Sequence, residues 1–169
     1  ALLLVGAGPE AEPLLRIARG LGWHATIIDH RPAALALVAM LADRAITARP
    51  RAALGQLGGA RFDACVVMTH TAASDLEALG TLATRDEGYV GLLGPPARRD
   101  ELLAMLDASV AARLAGRLRA PVGLRLGGTG PEPLALAIAA ELQQYFSGAG
   151  SRGPAAPGPG ASPSSSPRR

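Results

Sequence analysis

A pair of glycines near the start of the chain has the spacing of a nucleotide-binding turn. The apolar run 2–5 stops at Gly6, and Ala7, Gly8 and Ala11 complete the pattern G-x-G-x-x-A. In this pattern the first glycine permits a tight turn, and the second lets a pyrophosphate approach the backbone. Unpaired N–H groups at the start of the following helix attract phosphate. We therefore predict that Gly6, Ala7 and Gly8 contact a phosphate-bearing ligand; a turn kept for packing alone is the alternative.

Two acidic residues bear on what this turn would bind. Asp29 ends the next apolar run, 21 residues after Gly8, where a carboxylate accepts hydrogen bonds from a ribose diol. We predict that Asp29 favours an unphosphorylated ribose, because a 2′-phosphate would be repelled, although Arg31 would partly offset this. Glu10 places a carboxylate in the first helical turn, where it competes with a phosphate for the same helix dipole.

Further polar residues follow the predicted fourth and fifth strands. With the usual strand order 3-2-1-4-5-6, the loops after strands one and four flank the ligand crevice, and the loop after strand five adds to it. We predict cofactor contacts from Thr69, His70, Gly94 and Arg98. His70 would contact the ligand or transfer a proton, or else it is a loop histidine bonded to neighbouring backbone. Arg98 and its neighbour Arg99 would clamp an anion or lie on a solvated helix face.

Other reactive residue types have simpler interpretations. Asp75 fits the first turn of a helix, where a carboxylate complements the dipole. Cys65 lies in an apolar run and is interpreted as a small buried strand residue rather than a reactive thiol. The sequence contains no Ser-His-Asp order, no paired-carboxylate spacing and no metal-ligand cluster. We therefore predict no metal site and assign no catalytic residue.

Apolar runs alternate with helical patterns along most of the chain, which is typical of a parallel sheet covered by helices. The prediction is an α/β, Rossmann-like, doubly wound parallel sheet of about six strands. Ser74 and Glu77 read as a capping box, as do Thr129 and Glu132. The predicted strands are 2–5, 24–29, 45–47, 64–69, 89–93 and 122–126. The predicted helices are 9–21, 32–41, 51–57, 74–84, 96–106, 110–118 and 129–145.

The composition changes sharply at Ser147. Residues 1–146 form one predicted domain, whereas Pro, Gly and Ser dominate residues 147–169. A segment of that composition cannot bury enough apolar surface to offset the entropy lost on ordering. We predict a disordered C-terminal tail.

Charge and hydropathy exclude some classes of protein. The net charge is +3, all 17 basic residues are Arg, and the excess lies in the tail, so the predicted domain is neutral. Nucleic-acid binding requires a clustered basic face, which the domain lacks. The apolar start of the chain is too short for a signal peptide or a membrane span. We expect a cytoplasmic protein that engages neither nucleic acid nor membrane.

Three segments, together with the opening glycine turn, resemble one known family. The segments are Val67-Met68-Thr69-His70 with Asp75-Leu76, then Tyr89–Gly94 with Arg98-Arg99, and last Ala120–Leu124 with Gly127, Thr129, Glu132 and Ala137–Glu141. In that order they are similar to the C-terminal Rossmann domain of the XdhC/CoxI family. The resemblance covers roughly residues 1–146, and the Thr-His…Asp and Pro-x-Gly-Leu elements are its most specific parts.

The resemblance implies a maturation factor for molybdenum hydroxylases such as xanthine dehydrogenase or CO dehydrogenase. Members of this family bind molybdenum cofactor (molybdopterin), support its sulfuration with a cysteine desulfurase and help insert it into the hydroxylase apoenzyme. They are cofactor chaperones rather than enzymes. A homodimer is left open, and so is the choice between a pterin and a dinucleotide as ligand. The alternative functions are a stand-alone NAD(P)-binding regulatory module or an oxidoreductase fragment.

This chain also departs from the family pattern. The family commonly has a separate N-terminal domain with a cysteine motif, so the resemblance implies a stand-alone Rossmann half or a fragment. Pro95 stands where a serine is usual, Arg98-Arg99 replace Lys-Arg, and Arg125 replaces an acid. The family usually carries a further polar residue or histidine after His70, where this chain has Thr71-Ala72-Ala73.

Overall fold

Six short parallel strands form the centre of the molecule and create the crevice in which a ligand would lie. The computed structural model describes residues 1–150, with the side chains of residues 1–148. The strands are β1 (Leu2–Val5), β2 (Ala25–Asp29), β3 (Arg44–Thr47), β4 (Ala64–Val67), β5 (Val90–Leu92) and β6 (Leu118–Arg119). They form one sheet in the order β3-β2-β1-β4-β5-β6. The predicted fold class and strand order are therefore confirmed.

Helices cover both faces of this sheet, as a parallel sheet requires. The helices are α1 (Ala11–Gly20), α2 (Pro32–Ala36), α3 (Pro50–Gln56), α4 (Ala72–Leu82), α5 (Pro96–Met105), α6 (Ala108–Ala115) and α7 (Pro131–Gly150), with a 3-10 turn at Ala39–Leu41. Alternate residues of each strand point to opposite faces. Leu2 and Leu4 of β1 pack with α1 and α7, while Leu3 and Val5 pack with α3 and α4.

The central strand β1 fixes the register of its neighbours. Leu4 aligns with Ile27 of β2 and with Val66 of β4, and all three side chains are fully buried. Because β1 pairs with parallel strands on both sides, the turn after β1 and the loop after β4 emerge side by side at the same edge. The glycine turn is thus brought next to Thr69 and His70.

The sixth strand lies earlier in the chain than predicted. Leu118 and Arg119 pair with Val90 and Gly91 of β5, whereas the predicted strand 122–126 is irregular. Pro121 has no N–H to continue the ladder, so the chain leaves the sheet after two residues. The predicted helix 110–118 wrongly includes Leu118, because the spacing of this residue from Leu114 also fits a helical period.

Most other helix ends differ from the predicted ones by one or two residues, and two differences are larger. The expected helix 32–41 divides into α2 and the 3-10 turn. Helix α7 continues past the expected end at Tyr145 to Gly150. The rest of the predicted tail, residues 151–169, lies outside the described residues, so its disorder stays a prediction. Within residues 1–150, no helix is long and apolar enough to cross a membrane.

Candidate functional site

The glycine turn lies between β1 and α1, directly against the end of β4. Gly6 has a φ of 115°, and its N–H donates to the carbonyl of Ile28 at 2.8 Å. A Cβ on Gly6 would collide with the backbone carbonyl of Met68 and lie 2.9 Å from the Cα of Thr69. Position 6 therefore requires glycine both for its backbone angle and for the close approach of two loops.

Gly8 has a different environment, because side chains rather than backbone lie over it. A Cβ there would collide with the Nε2 of His70 and lie 3.0 Å from Oε2 of Glu10. These are the ends of movable side chains. The backbone of Gly8 is thus accessible to a ligand once His70 and Glu10 move aside.

Asp29 binds the glycine turn from the end of β2. Its Oδ2 accepts from the N–H of Ala7 at 2.7 Å and from Nη2 of Arg31 at 2.8 Å. Its Oδ1 accepts from the backbone N–H of Arg31 at 2.8 Å and from its Nε at 3.0 Å. Four donors fill the acceptor sites of one carboxylate. A ribose diol would therefore have to displace Arg31 from Asp29.

The same hydrogen bonds change the acidity of Asp29. Burial of the carboxyl group opposes its ionisation, but the Arg31 side chain and the amides of Ala7 and Arg31 together lower its pKa to about 2. The ionised form therefore stabilises the folded state at neutral pH. The lowered pKa shows that the Asp29 carboxylate stabilises the glycine turn, independently of any contact with a ligand.

Asp29→Asn is expected to lower the free energy of unfolding by about 2 kcal/mol at pH 7, because one amide group cannot accept from all four donors. An unfolded aspartate ionises near pH 3.9 and the folded one near pH 2, so the contribution of the carboxylate is complete above about pH 4 and is lost as the pH falls towards 2. Urea unfolding of the parent and of Asp29→Asn across this pH range should show the difference between their unfolding free energies becoming smaller as the pH falls. Asp86→Asn, at an exposed position, is the control; a difference that does not change with pH would contradict the assignment.

His70 reaches across from the loop after β4 to the glycine turn. Its Nε2 lies 3.3 Å from Oε2 of Glu10, and its side chain is 44% exposed. Its φ is 64°, a left-handed conformation that is uncommon for residues other than glycine and is tolerated by Asn and His. The structure thus brings His70 and Gly8 together, as their positions in the sequence predicted. Whether His70 contacts a ligand stays a prediction.

Asp75 connects the loops after β4 and β5. Its Oδ1 accepts from the hydroxyl of Thr69 at 2.5 Å, and its Oδ2 accepts from Nε and Nη2 of Arg98 at 3.0 and 2.6 Å. Gly94 provides the space for this contact, because a Cβ there would lie 2.7 Å from Cδ of Arg98. Thr69, Gly94 and Arg98 are therefore placed together at the crevice, and Arg98 is held by Asp75. The sequence alone assigns Asp75 to the helix dipole and gives no sign of these contacts.

The N-terminus of α4 differs from the predicted capping box. Thr71, not Ser74, is the capping residue, since its hydroxyl accepts from the N–H of Ser74 at 3.4 Å. Glu77 turns away from this helix end and accepts from Nε of Arg49 at 3.1 Å and the N–H of Arg51 at 3.0 Å. The box prediction was therefore wrong, because Glu77 stabilises the start of the neighbouring α3 instead.

The Pro-x-Gly-Leu segment lies beside this site and packs on α7. The N–H of Gly123 donates to the carboxylate of Glu141, and the N–H of Leu124 donates to the carbonyl of Ala137 at 3.1 Å. Gly123 has a φ of 108°, and a Cβ on it would lie 3.3 Å from Ala137. These residues join the segment after β6 to α7, so in this conformation they act in packing.

A small cavity lies at the carboxyl ends of the strands, beside the starts of α3 and α4. The cavity lined by Gly6, Asp29, Thr69 and Ser74 has a volume of only about 10 Å³. A larger cavity, about 760 Å³, lies at the opposite edge of the sheet, where the loops that precede β4 and β5 meet the end of α7. Among the described residues, no three His, Cys, Asp or Glu side chains are placed to hold a metal ion.

Comparison with known proteins agrees with the fold. The family model of the XdhC Rossmann domain matches residues 2–142. A protein of Bacillus subtilis (strain 168), named as a probable xanthine dehydrogenase subunit, is 34% identical over 144 residues, which are 85% of this chain and 42% of the relative. The chain therefore spans less than half the length of that relative.

Two solved structures are similar to the chain in fold. The crystal structure of a xanthine dehydrogenase from Bacillus halodurans has a TM-score of 0.78 and 30% identity, and covers 93% of this chain and 44% of that one. A short-chain dehydrogenase/reductase from Vibrio parahaemolyticus has a TM-score of 0.60 with 14% identity, covering 83% of this chain and 91% of that one, and shares the fold alone. On the strength of the family match over residues 2–142, this chain belongs to the XdhC Rossmann-domain family.

Proposed function

We propose that this chain is the Rossmann part of an accessory factor for molybdenum hydroxylases of the xanthine dehydrogenase type. The observation that carries the proposal is the family match over residues 2–142, supported by the 34% identity to the Bacillus subtilis relative named as a probable xanthine dehydrogenase subunit. In this role the chain would hold molybdenum cofactor and aid its sulfuration or insertion. The client apoenzyme and a cysteine desulfurase would be its partners, in the cytoplasm.

The residues at the crevice fit a phosphate-bearing pterin. The N–H groups of Gly6 and Ala7 already donate to Ile28 and Asp29. A phosphate would therefore be attracted by the positive end of the α1 dipole, and Gly8 leaves its backbone free of a Cβ. His70 and Thr69 offer polar groups at the neighbouring loop. The bound cofactor would supply the molybdenum centre that the client enzyme needs. The residues of this chain would bind its phosphate, orient it and exclude water.

An NAD(P)-binding regulatory module or oxidoreductase fragment is the second candidate. The glycine turn and the acidic residue at the end of β2 favour it, since this pair binds dinucleotides in many Rossmann folds. The saturation of Asp29 by Arg31 and Ala7 counts against it, because the carboxylate has no acceptor site left for a ribose. Calorimetry with NAD⁺ and NADP⁺ tests it: submicromolar binding of either would favour this candidate over the accessory factor.

Gly8→Val is expected to remove cofactor binding while leaving the fold intact. The new side chain would block the approach to the backbone, and the atoms nearest to its Cβ belong to the movable side chains of His70 and Glu10. The chain should be co-expressed with a xanthine dehydrogenase, and the pterin that co-purifies with it should be released, oxidised and measured by fluorescence. We expect at least a tenfold decrease in bound pterin, together with a decrease in activity of the client enzyme.

Gly59→Val serves as the control, because a Cβ at Gly59 meets nothing within 4 Å. This variant should bind pterin as the parent does, and the thermal melts of both variants should stay within a few degrees of the parent. Pterin that co-purifies equally with Gly8→Val and the parent would mean that the turn serves packing alone. A parent chain that carries no pterin and leaves the client's activity unchanged would contradict the proposed function.

A further inference from the structure

The position where a ligand phosphate would lie is already filled by a carboxylate of the chain itself. We propose that Glu10 is an internal competitor for this anion position: it closes the empty site, and a ligand must displace it from His70. This inference rests on the proposed function only in taking the glycine turn as the place that receives an anionic group. It concerns how that site is regulated.

The contacts of Glu10 show that it serves no ordinary capping role. It is the residue before α1, yet its side chain makes no capping hydrogen bond. Serine, threonine, aspartate or asparagine would normally occupy this position to satisfy the free N–H groups. The Glu10 side chain is only 13% exposed, and its buried Oε2 has no hydrogen-bond partner within the described part of the chain. The carboxylate therefore remains at the positive end of the helix dipole, next to the His70 imidazole.

The same two side chains cover the backbone of the turn at Gly8. Oε2 of Glu10 lies 3.0 Å, and Cδ2 of His70 lies 2.9 Å, from the point that a Cβ of Gly8 would occupy. A phosphate and the Glu10 carboxylate would compete for the positive end of the α1 dipole and for His70, and they would repel each other at this distance. Entry of the ligand therefore requires the Glu10 side chain to swing out.

Displacement of this kind exchanges one anion for another around the same partners. When Glu10 leaves, the phosphate takes its place beside His70 and the start of α1, so an anion lies next to these groups in both the empty and the loaded site. The net affinity is lower than that of an open glycine turn, because the empty state is already stabilised. A factor that must pass its ligand to a client benefits from such limited affinity, since its release is faster.

The test compares two variants that remove the same charge from the same helix end. Glu10→Gln keeps the shape of the side chain and removes the internal anion. Glu12→Gln is the matched control, because Glu12 lies in the first turn of α1 but is 52% exposed and pairs with Arg16 on the outer surface. Inorganic pyrophosphate is the probe, with binding measured by isothermal titration calorimetry. We expect Glu10→Gln to bind pyrophosphate at least tenfold more tightly than the parent, and Glu12→Gln to stay within twofold.

A further variant identifies the group that receives the phosphate. His70→Asn retains a residue that tolerates the left-handed φ at this position, so the loop should keep its conformation. Added to Glu10→Gln, it should remove most of the gain in pyrophosphate affinity. Thermal melts establish that each variant is folded.

The outcomes separate this inference from the proposed function. Pyrophosphate binding by Glu10→Gln that equals or is weaker than that of the parent would overturn the inference. An equal gain in affinity in Glu12→Gln would also overturn it, because the gain would then come from the change in net charge and not from the position of Glu10. Absence of binding in every variant would also overturn it. The proposed accessory role is tested separately, by measuring the pterin that co-purifies with the parent chain. None of the pyrophosphate results changes that measurement.

Discussion

Gly6→Ala should destabilise the protein by more than about 3 kcal/mol, and the melting temperature should fall by about 10 °C. The φ of 115° at Gly6 is strongly unfavourable for a residue with a Cβ, and the added atom would collide with the carbonyl of Met68. That carbonyl belongs to the backbone at the end of β4, which cannot move without disturbing its pairing with β1 and β5. The backbone strain and the collision both occur where the two central strands, β1 and β4, end. A local adjustment would therefore not relieve them.

Gly20→Ala provides the control for this prediction. Gly20 is the last residue of α1, and a Cβ there meets nothing within 4 Å. Alanine is the better helix former, so this variant should be as stable as the parent or slightly more stable. Both variants can be compared by urea unfolding at pH 7. A loss of less than about 1 kcal/mol in Gly6→Ala would show that the two loops are less tightly packed than described.

Asp75→Asn should lower the free energy of unfolding by about 3 kcal/mol, because it removes one partner of a buried charged pair. The Asp75 side chain is 1% exposed and its Oδ2 receives two hydrogen bonds from Arg98, whose side chain is 26% exposed. With asparagine present, the Arg98 guanidinium loses its counter-charge and faces an amide group. The Thr69 hydroxyl also loses its charged acceptor, so the loops after β4 and β5 are both affected.

Asp100→Asn is the matched control, because Asp100 is exposed and pairs with Arg99 on the surface of α5. Surface pairs of this kind contribute little, and the variant should differ from the parent by less than about 0.5 kcal/mol. A double-mutant cycle with Arg98→Gln would measure the coupling between Asp75 and Arg98 directly. Additive effects of the two substitutions would contradict the described pair.

Much of this fold follows from the order of residue types along the chain. The strand β1 was predicted with its observed limits, because a run of four apolar residues is followed directly by Gly6. Glycine is unfavourable inside a helix, so the run is interpreted as a short strand that ends at a turn. The strand order was predictable because the glycine turn after β1 is typical of the Rossmann fold. In that fold β2 and β3 lie on one side of β1, and the later strands lie on its other side. Cys65 illustrates the same logic: a small apolar residue in the most hydrophobic run is found fully buried in β4.

The parts that sequence reasoning missed depend on side-chain contacts between distant segments. Leu118 fits a helix by spacing, and only its pairing with Val90 makes it a strand. Asp75 and Arg98 lie 23 residues apart, so their hydrogen bonds follow from the adjacency of β4 and β5 rather than from any local motif. Likewise, the position of Glu10 in the sequence indicates a competitor for the helix dipole, but its contact with His70 is visible only in the structure.

The burial of Cys65 excludes this residue as a carrier of sulfur. A sulfur atom handed over as a persulfide must be received by an accessible thiolate. Cys65 is 0% exposed, and burial, reinforced by the charge of Glu87, raises the pKa of its thiol well above the usual range. Its thiol can therefore neither attack a sulfur donor nor carry a transferable sulfur. If sulfuration takes place on a cofactor held by this domain, Cys65 takes no part in carrying the sulfur.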